Sequence, residues 1–161
     1  MTPFSLKIVT PDGLIFDGQA EELVVRSTSG DLGILAGHIN CVAPLGMGRA
    51  TVIIDDKRRY AACIGGMVSV VNGVVTLVPT TFEWAENIDA ARAEASRERA
   101  ENVLHTKDAS GTEIQLAQAR LHRALVRKSV ASYKYENPPV QQTRRVFIAA
   151  VQISVYRAIN R

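Results

Sequence analysis

Little in this sequence would cross-link it or hold a metal. Of 161 residues only two are cysteine, Cys41 and Cys63, and they form neither a C-x-x-C nor a Cys/His spacing. That argues against a disulfide framework or a zinc site and for free buried thiols in a reducing compartment. No run reaches the roughly 18 consecutive apolar residues that a bilayer-spanning helix needs. The opening residues Met1-Thr2-Pro3-Phe4-Ser5-Leu6-Lys7 lack a charged n-region and a long apolar run, so no secretory signal is expected. There is no Walker loop and no nucleophile elbow. Ser29, Asp31 and His38 are the residue types of a triad, but the serine sits in a Gly-rich turn, and no chemistry is expected of this chain by itself.

Strong charge of one sign is also missing from most of the chain. Four Arg and one Glu fall in 136–161, which leaves 15 basic and 15 acidic residues in 1–135. The high pI therefore belongs to the tail and gives no reason to expect nucleic-acid binding. Residues 1–85 hold 6 basic and 8 acidic side chains, and 86–135 hold 9 and 7.

What is present changes character once. Up to about residue 85 the chain is rich in Val, Ile, Thr and Gly; beyond it come Ala, Glu and Arg, with no Gly or Pro until Gly111. Strand formers give way to helix formers. Short strands are expected over Phe4–Val9, Leu14–Phe16, Glu22–Ser27, Arg49–Ile54, Lys57–Cys63, Met67–Val71 and Val74–Val78. The turns between them are Thr10-Pro11-Asp12-Gly13, Asp55-Asp56 and Asn72-Gly73, the last a strong hairpin signal. The stretch Ser29–His38, with three glycines, reads as a non-helical segment whose apolar residues want burial. These strands predict an antiparallel sandwich or barrel.

A helix is expected over Ile88–Val103, with Asn87 as N-cap, and a second over Thr112–Lys134. The polar linker between them has the length of an antiparallel helix connection. The apolar stripes are thin: Ile88, Ala91, Ala95 and Val103 on the first, and Ile114, Ala117, Leu121, Ala124 and Leu125 on the second. Alanine contacts remove little apolar area from water, so the hairpin is expected to be held marginally against a firm sandwich. Phe82 and Trp84 are expected to pack the first helix onto the sandwich. The fold class is thus α+β, with domains at 1–85 (sandwich), 86–135 (helical hairpin) and a basic, apolar tail at 136–161. The tail could lie on an anionic membrane surface, pack on a partner, or have no role.

Five segments, in order, carry a resemblance: Val9-Thr10-Pro11-Asp12-Gly13, Ser29–His38, Gly65-Gly66, Ile88-Asp89-Ala90-Ala91-Arg92-Ala93 and Arg127-Lys128-Ser129-Val130-Ala131. Over about residues 5–134 the chain resembles the epsilon subunit of the bacterial F-type ATP synthase. The resemblance implies a ten-stranded sandwich that clamps the gamma subunit and rests on the c-ring. It also implies a hairpin that folds on the sandwich or extends along gamma into the catalytic alpha/beta head, blocking ATP hydrolysis. The subunit would be peripheral, on the cytoplasmic face of the bacterial membrane, with no cofactor other than ATP as a regulatory ligand. One departure stands out: Asn40 occupies the place of the family's proline in G-H-x-P-L.

Matched to ATP-binding members, the resemblance implies a nucleotide site of Glu83, Ile88, Asp89, Arg92, Ala93, Arg99, Arg123 and Arg127. Arg92 and Arg99 are seven apart and share a helix face, and Arg123 and Arg127 are one turn apart. Four guanidiniums can converge on a triphosphate, with Ile88 against the adenine and Asp89 or Glu83 accepting from its amino group or a ribose hydroxyl. The opposing reading is exposed intrahelical pairing, Asp89 with Arg92 or Arg97 with Glu101. Asp31 and His38 are expected on loops at the sandwich end that faces the c-ring; the opposing reading is a turn former and a locally satisfied imidazole. Two other readings remain: a coupling subunit that no longer binds ATP, and a stand-alone β-sandwich binding module unrelated to ATP synthase.

Overall fold

The dipeptide Asn72-Gly73 makes the turn that its residue types demand, with φ of 50° and 79°. Asp55-Asp56 turns the same way, at 50° and 58°. Positive φ at both central residues is the type I′ geometry that matches the twist of flanking strands. In this computed structural model, which describes residues 1–106 and 108–135, these turns belong to a ten-stranded sandwich followed by two helices. The tail 136–161 lies outside the described residues.

One sheet has the order β2-β1-β9-β8-β5, built from β1 (Phe4–Thr10), β2 (Gly13–Ala20), β5 (Cys41–Pro44), β8 (Met67–Val71) and β9 (Val74–Val78). The other runs β10-β7-β6-β3-β4, from β3 (Glu22–Ser27), β4 (Gly30–Ile34), β6 (Met47–Ile54), β7 (Lys57–Ile64) and β10 (Thr81–Trp84). All pairings are antiparallel except β1 with β9. Inward residues at alternate positions form the core, including Leu6, Ile8, Leu23, Val25, Val52, Val68 and Leu77. Gly66 could be nothing else. Its φ is +91°, and a Cβ there would lie 2.1 Å from the carbonyl oxygen of Val78.

Strand propensity and turn chemistry anticipate seven of the ten strands. The Gly-rich stretch is partly strand, because Leu32, Gly33 and Ile34 pair with β3 and Ile34 is buried. β5 and β10 have only four residues each, too short for a period to show. Asn40 does fix its loop, by side chain rather than by ring: its Oδ1 accepts from the Asn72 amide at 2.8 Å.

Helix α1 spans Ala90–Leu104 and α2 spans Gly111–Ala131, continued by a 3-10 turn at Ser132–Tyr135. Asn87 is not the cap of α1. It ends a 3-10 turn at Ala85–Asn87, and Ile88 is extended. Asp89 caps instead, its Oδ1 accepting from the Arg92 amide at 3.0 Å. Helix α2 has a full capping box between Ser110 and Glu113, the sequence signature of a helix start.

The helices meet through Ala93, Ala100, Ala117 and Ala124, two heptad-spaced alanine pairs that permit close approach. Ala91 and Leu125, both expected in the seam, are exposed, and Ala95 is half-buried. The buried face of α1 is centred on Ala93 and Ala100 rather than on Ala91 and Ala95. Phe82 and Trp84 do not seat the hairpin either: they stack edge-to-face at 4.9 Å within the sandwich core. The seat is a second cluster in which Tyr60, Ala62, Ala85, Ile88 and Val130 are buried, with Val126, Ala131 and Tyr133 against them. It is α2, not α1, that lies on strands β6 and β7.

Candidate functional site

Strand β10 turns Phe82 and Trp84 inward, so Glu83 faces the helices by simple alternation. There its Oε2 accepts from Arg127 Nε at 2.9 Å. This bond ties the sheet to α2 at the mouth of a cleft of about 340 Å³. Glu83, Asn87 and Asp89 line the cleft from the joint, and Arg92, Ala93, Ser96 and Arg99 line it from α1. Ala124 and Arg127 close it from α2.

Six of the eight expected residues thus come together: Glu83, Asp89, Arg92, Ala93, Arg99 and Arg127. Ile88 does not join them. Its side chain is 2% exposed, in the cluster beneath Val130. Arg123 lies along an adjoining cleft of about 590 Å³ that shares Ser96, Arg99 and Arg127 with the first. Asn87 and Ser96 were not expected. Ser96 lies one turn from Arg92 on α1, which was the available signal; Asn87 precedes the helix and reaches the cleft from the 3-10 turn at Ala85–Asn87.

The expected intrahelical pairing holds for Arg97 alone. It donates to Glu94 at 2.6 Å and to Glu101 at 2.5 Å. Glu94 also meets Lys128 of α2 at 2.7 Å. The hydrogen bonds from Arg97 and then Lys128 hold its carboxyl down at about 2. Asp89 spends one oxygen on the cap and makes no ion pair with Arg92 among the described residues. The cleft therefore offers guanidiniums for anionic oxygens and carboxylates for N–H or O–H donors.

Asp31 and His38 do not share an end of the sandwich. Asp31 is on strand β4, not a loop, and meets Arg26 Nε at 3.0 Å. Its end is where the β3–β4 turn abuts Leu45 and Gly46, and Gly46 abuts Gly65. His38 follows the opposite end of β4, two residues from Asn40, which is bound to Asn72. Its Nδ1 lies 2.9 Å from the Ile39 carbonyl.

Among the described residues, helices that lean on one sheet leave the other sheet's outer face bare. Val42, Met67, Val71, Val74 and Val78 are each at least 40% exposed there, and cross-strand pairing joins Met67 to Val78 and Val71 to Val74.

Residues 3–85 match the family model for the ATP synthase, Delta/Epsilon chain, beta-sandwich domain, and residues 86–132 match the long alpha-helix domain of the same chain. The chain is 41% identical over 135 residues to the ATP synthase epsilon chain of Ruminococcus albus, a match covering 83% of this chain and 100% of that one. It is 43% identical over 131 residues to the ATP synthase epsilon chain of Bacillus velezensis, covering 81% and 98%. Among solved structures, a chain of the Euglena gracilis mitochondrial ATP synthase, OSCP/F1/c-ring assembly shares the fold. Its TM-score is 0.70 at 23% identity, covering 80% of this chain and 81% of that chain. Sandwich, hairpin and the order of the two place this chain in the ATP synthase delta/epsilon family, beside its bacterial epsilon chains.

Proposed function

We propose that the chain is the central-stalk rotor subunit of a proton-translocating F-type ATP synthase, non-catalytic by itself. Its sandwich couples c-ring rotation to ATP synthesis, and its helices restrain ATP hydrolysis. One observation carries this reading: the two outer faces of the sandwich differ. One is bare and apolar, with Val42, Met67, Val71, Val74 and Val78 exposed, and the other carries the hairpin. A bare apolar face of this kind marks a protein partner, here gamma. Asp31 and the turns around Gly46 and Gly65 are assigned to the c-ring. His38, beside Ile39 at 77% exposure, falls to the gamma side.

ATP is the regulatory ligand we assign to the first cleft. Arg92, Arg99 and Arg127 face its phosphates, and Glu83 and Asp89 face its hydroxyl and amino donors. Binding between β10, α1 and α2 favours the folded hairpin, because the cleft exists only when the three are together. The extended hairpin reaches the alpha/beta head. No nucleic acid is involved, and membrane association, at the cytoplasmic face, comes through the complex.

Affinity purification of the tagged full chain from its own cells tests the rotor reading. Recovery of gamma and c subunits supports it, and loss of gamma in Val42→Asp locates the clamp. A chain that returns neither subunit is instead a stand-alone binding module. Isothermal titration with ATP tests the regulatory ligand: Arg92→Ala should weaken binding at least tenfold, since one charge-assisted bond contributes roughly 1.5–3 kcal/mol. No heat from the unaltered chain leaves a coupling subunit without a nucleotide sensor.

A further inference from the structure

The bare outer face of the β2-β1-β9-β8-β5 sheet has a counterpart in the sequence of the tail. On the face, Val42, Met67, Val71, Val74 and Val78 are exposed. Leu14 of β2, also exposed, extends the patch by pairing with Val9 of β1. In the tail, 11 of the 14 residues 146–159 are apolar, and Val151, Ile153 and Val155 alternate with Gln152 and Ser154. Leaving either surface in water is unfavourable in proportion to its apolar area. The family match ends at residue 132, so the family assigns the tail no place.

Reach allows the two to meet. The described chain ends beside Tyr133, which stacks on Tyr60 of β7, and β7 is one strand in from the β10 edge. The eight residues 136–143 are polar or proline apart from Val140 and span at most about 28 Å. Rounding that edge takes about 10 Å across two strands and about 10 Å between the sheets, plus the side chains outside them. Charge favours the same meeting. The tail holds four Arg and one Glu, against 6 basic and 8 acidic residues in 1–85. Exposed Asp12 and Asp17 stand on the β1–β2 side of the face, with Lys7 as the partner of Asp17.

We propose that in the free chain residues 144–161 cover this face as an intramolecular cap, which gamma displaces on assembly. The short tether holds the tail at an effective concentration of about millimolar. A weak contact therefore suffices in the free chain and yields to a larger interface. The cap also keeps one chain's bare face from another's. It rests on the face and the tail sequence; the assignment of the face to gamma decides only what displaces it.

Alkylation of an introduced thiol tests the cap in a Cys41→Ser background, since Cys63 is buried. Val74→Cys should react with a maleimide at least about fivefold more slowly in the full chain than in a chain ending at Tyr135. Leu116→Cys, at an exposed position of α2, should react equally in both. Phe147→Asp together with Ile153→Asp, in the full-length chain, should speed Val74→Cys as truncation does. No gamma enters these measurements, so their failure leaves the rotor reading standing, and a failure to recover gamma leaves the cap standing. Equal Val74→Cys rates in all three chains overturn the cap. Protection that rises with protein concentration assigns the face to a second copy and overturns it. Binding of the full chain to phosphatidylglycerol vesicles, with no protection of Val74→Cys in their absence, assigns the tail to a membrane surface and overturns it as well.

Discussion

Arg127 on helix α2 donates to Glu83 on strand β10 at 2.9 Å across 44 residues of sequence. Both side chains are about a third exposed, at 28% and 33%, so solvent screens the pair. Its contribution is about 0.5–1 kcal/mol. Glu83→Gln should raise amide exchange in 111–131 roughly twofold to fivefold and leave the sandwich unchanged. Unaltered exchange throughout would show that the bond holds nothing.

Tyr60 and Tyr133 meet at 4.8 Å between ring centroids, and the Arg49 guanidinium sits 4.6 Å from the Tyr133 ring centre. Tyr60 is 6% exposed. Tyr60→Ala should weaken docking of the hairpin by about 2–4 kcal/mol, in the range of large-to-small core changes, and Arg49→Ala by less than 2 kcal/mol, the size of a partly desolvated cation–π contact. Limited proteolysis should then cut in 86–131 first, while 1–85 persists. Simultaneous loss of both parts would mean that the hairpin is not a separate unit.

The hairpin should also respond to acid. Glu94 is held at about 2 against its ordinary value of 4.5, chiefly by Arg97 and then by Lys128. Glu113 is lowered too, by bonds with Ser110. A carboxyl with a depressed folded-state pKa stabilises fully above its ordinary value and loses that contribution as pH falls through the folded value. Helical circular dichroism should therefore decline between about pH 4.5 and 2. Glu94→Gln should flatten that limb, and an unchanged curve in the variant would sink the assignment.

Thiol chemistry should separate the two cysteines. Burial pushes the Cys63 thiol up to about 12, and Cys63 is 2% exposed in the core, whereas Cys41 is half-buried. The thiolate is the nucleophile. A chromogenic disulfide at pH 8 should titrate one thiol in the native chain and two after denaturation. Two fast thiols in the native chain would place Cys63 outside the core.

How far the sequence reaches depends on the kind of signal. Asn72-Gly73 and the Val-rich runs beside it identify β8 and β9 because turn chemistry and strand pattern agree. The switch to Ala, Glu and Arg after residue 85 locates the hairpin because helix propensity accumulates over many residues. Asn87 misleads because a good capping residue stands two positions before the actual cap, and only tertiary burial of Ile88 decides between Asn87 and Asp89. The alanine seam of α1 is hidden for another reason: alanine stands at 90, 91, 93, 95 and 100, so several faces carry the same side chain and only burial singles out Ala93 and Ala100. The eight-residue set came from the family resemblance; the residues themselves showed only that Arg92 and Arg99, and Arg123 and Arg127, share helix faces, not how they divide between the clefts. Which arginine lines which cleft depends on how α2 is rotated by Tyr60 and Val130, a contact more than 60 residues apart in sequence.

Strand β7 carries five consecutive buried residues, Tyr60 to Ile64. Ala61 and Cys63 belong to the sandwich interior, and Tyr60 and Ala62 to the seat of the helices. One ribbon of backbone thus serves two dry compartments. Should the helical arm swing away, the ribbon would be wetted on one side, with a tyrosine ring left bare. An open arm is then cheap only where another protein's greasy surface moves in behind it, so the same strand that fastens the arm also dictates that letting go is a handover.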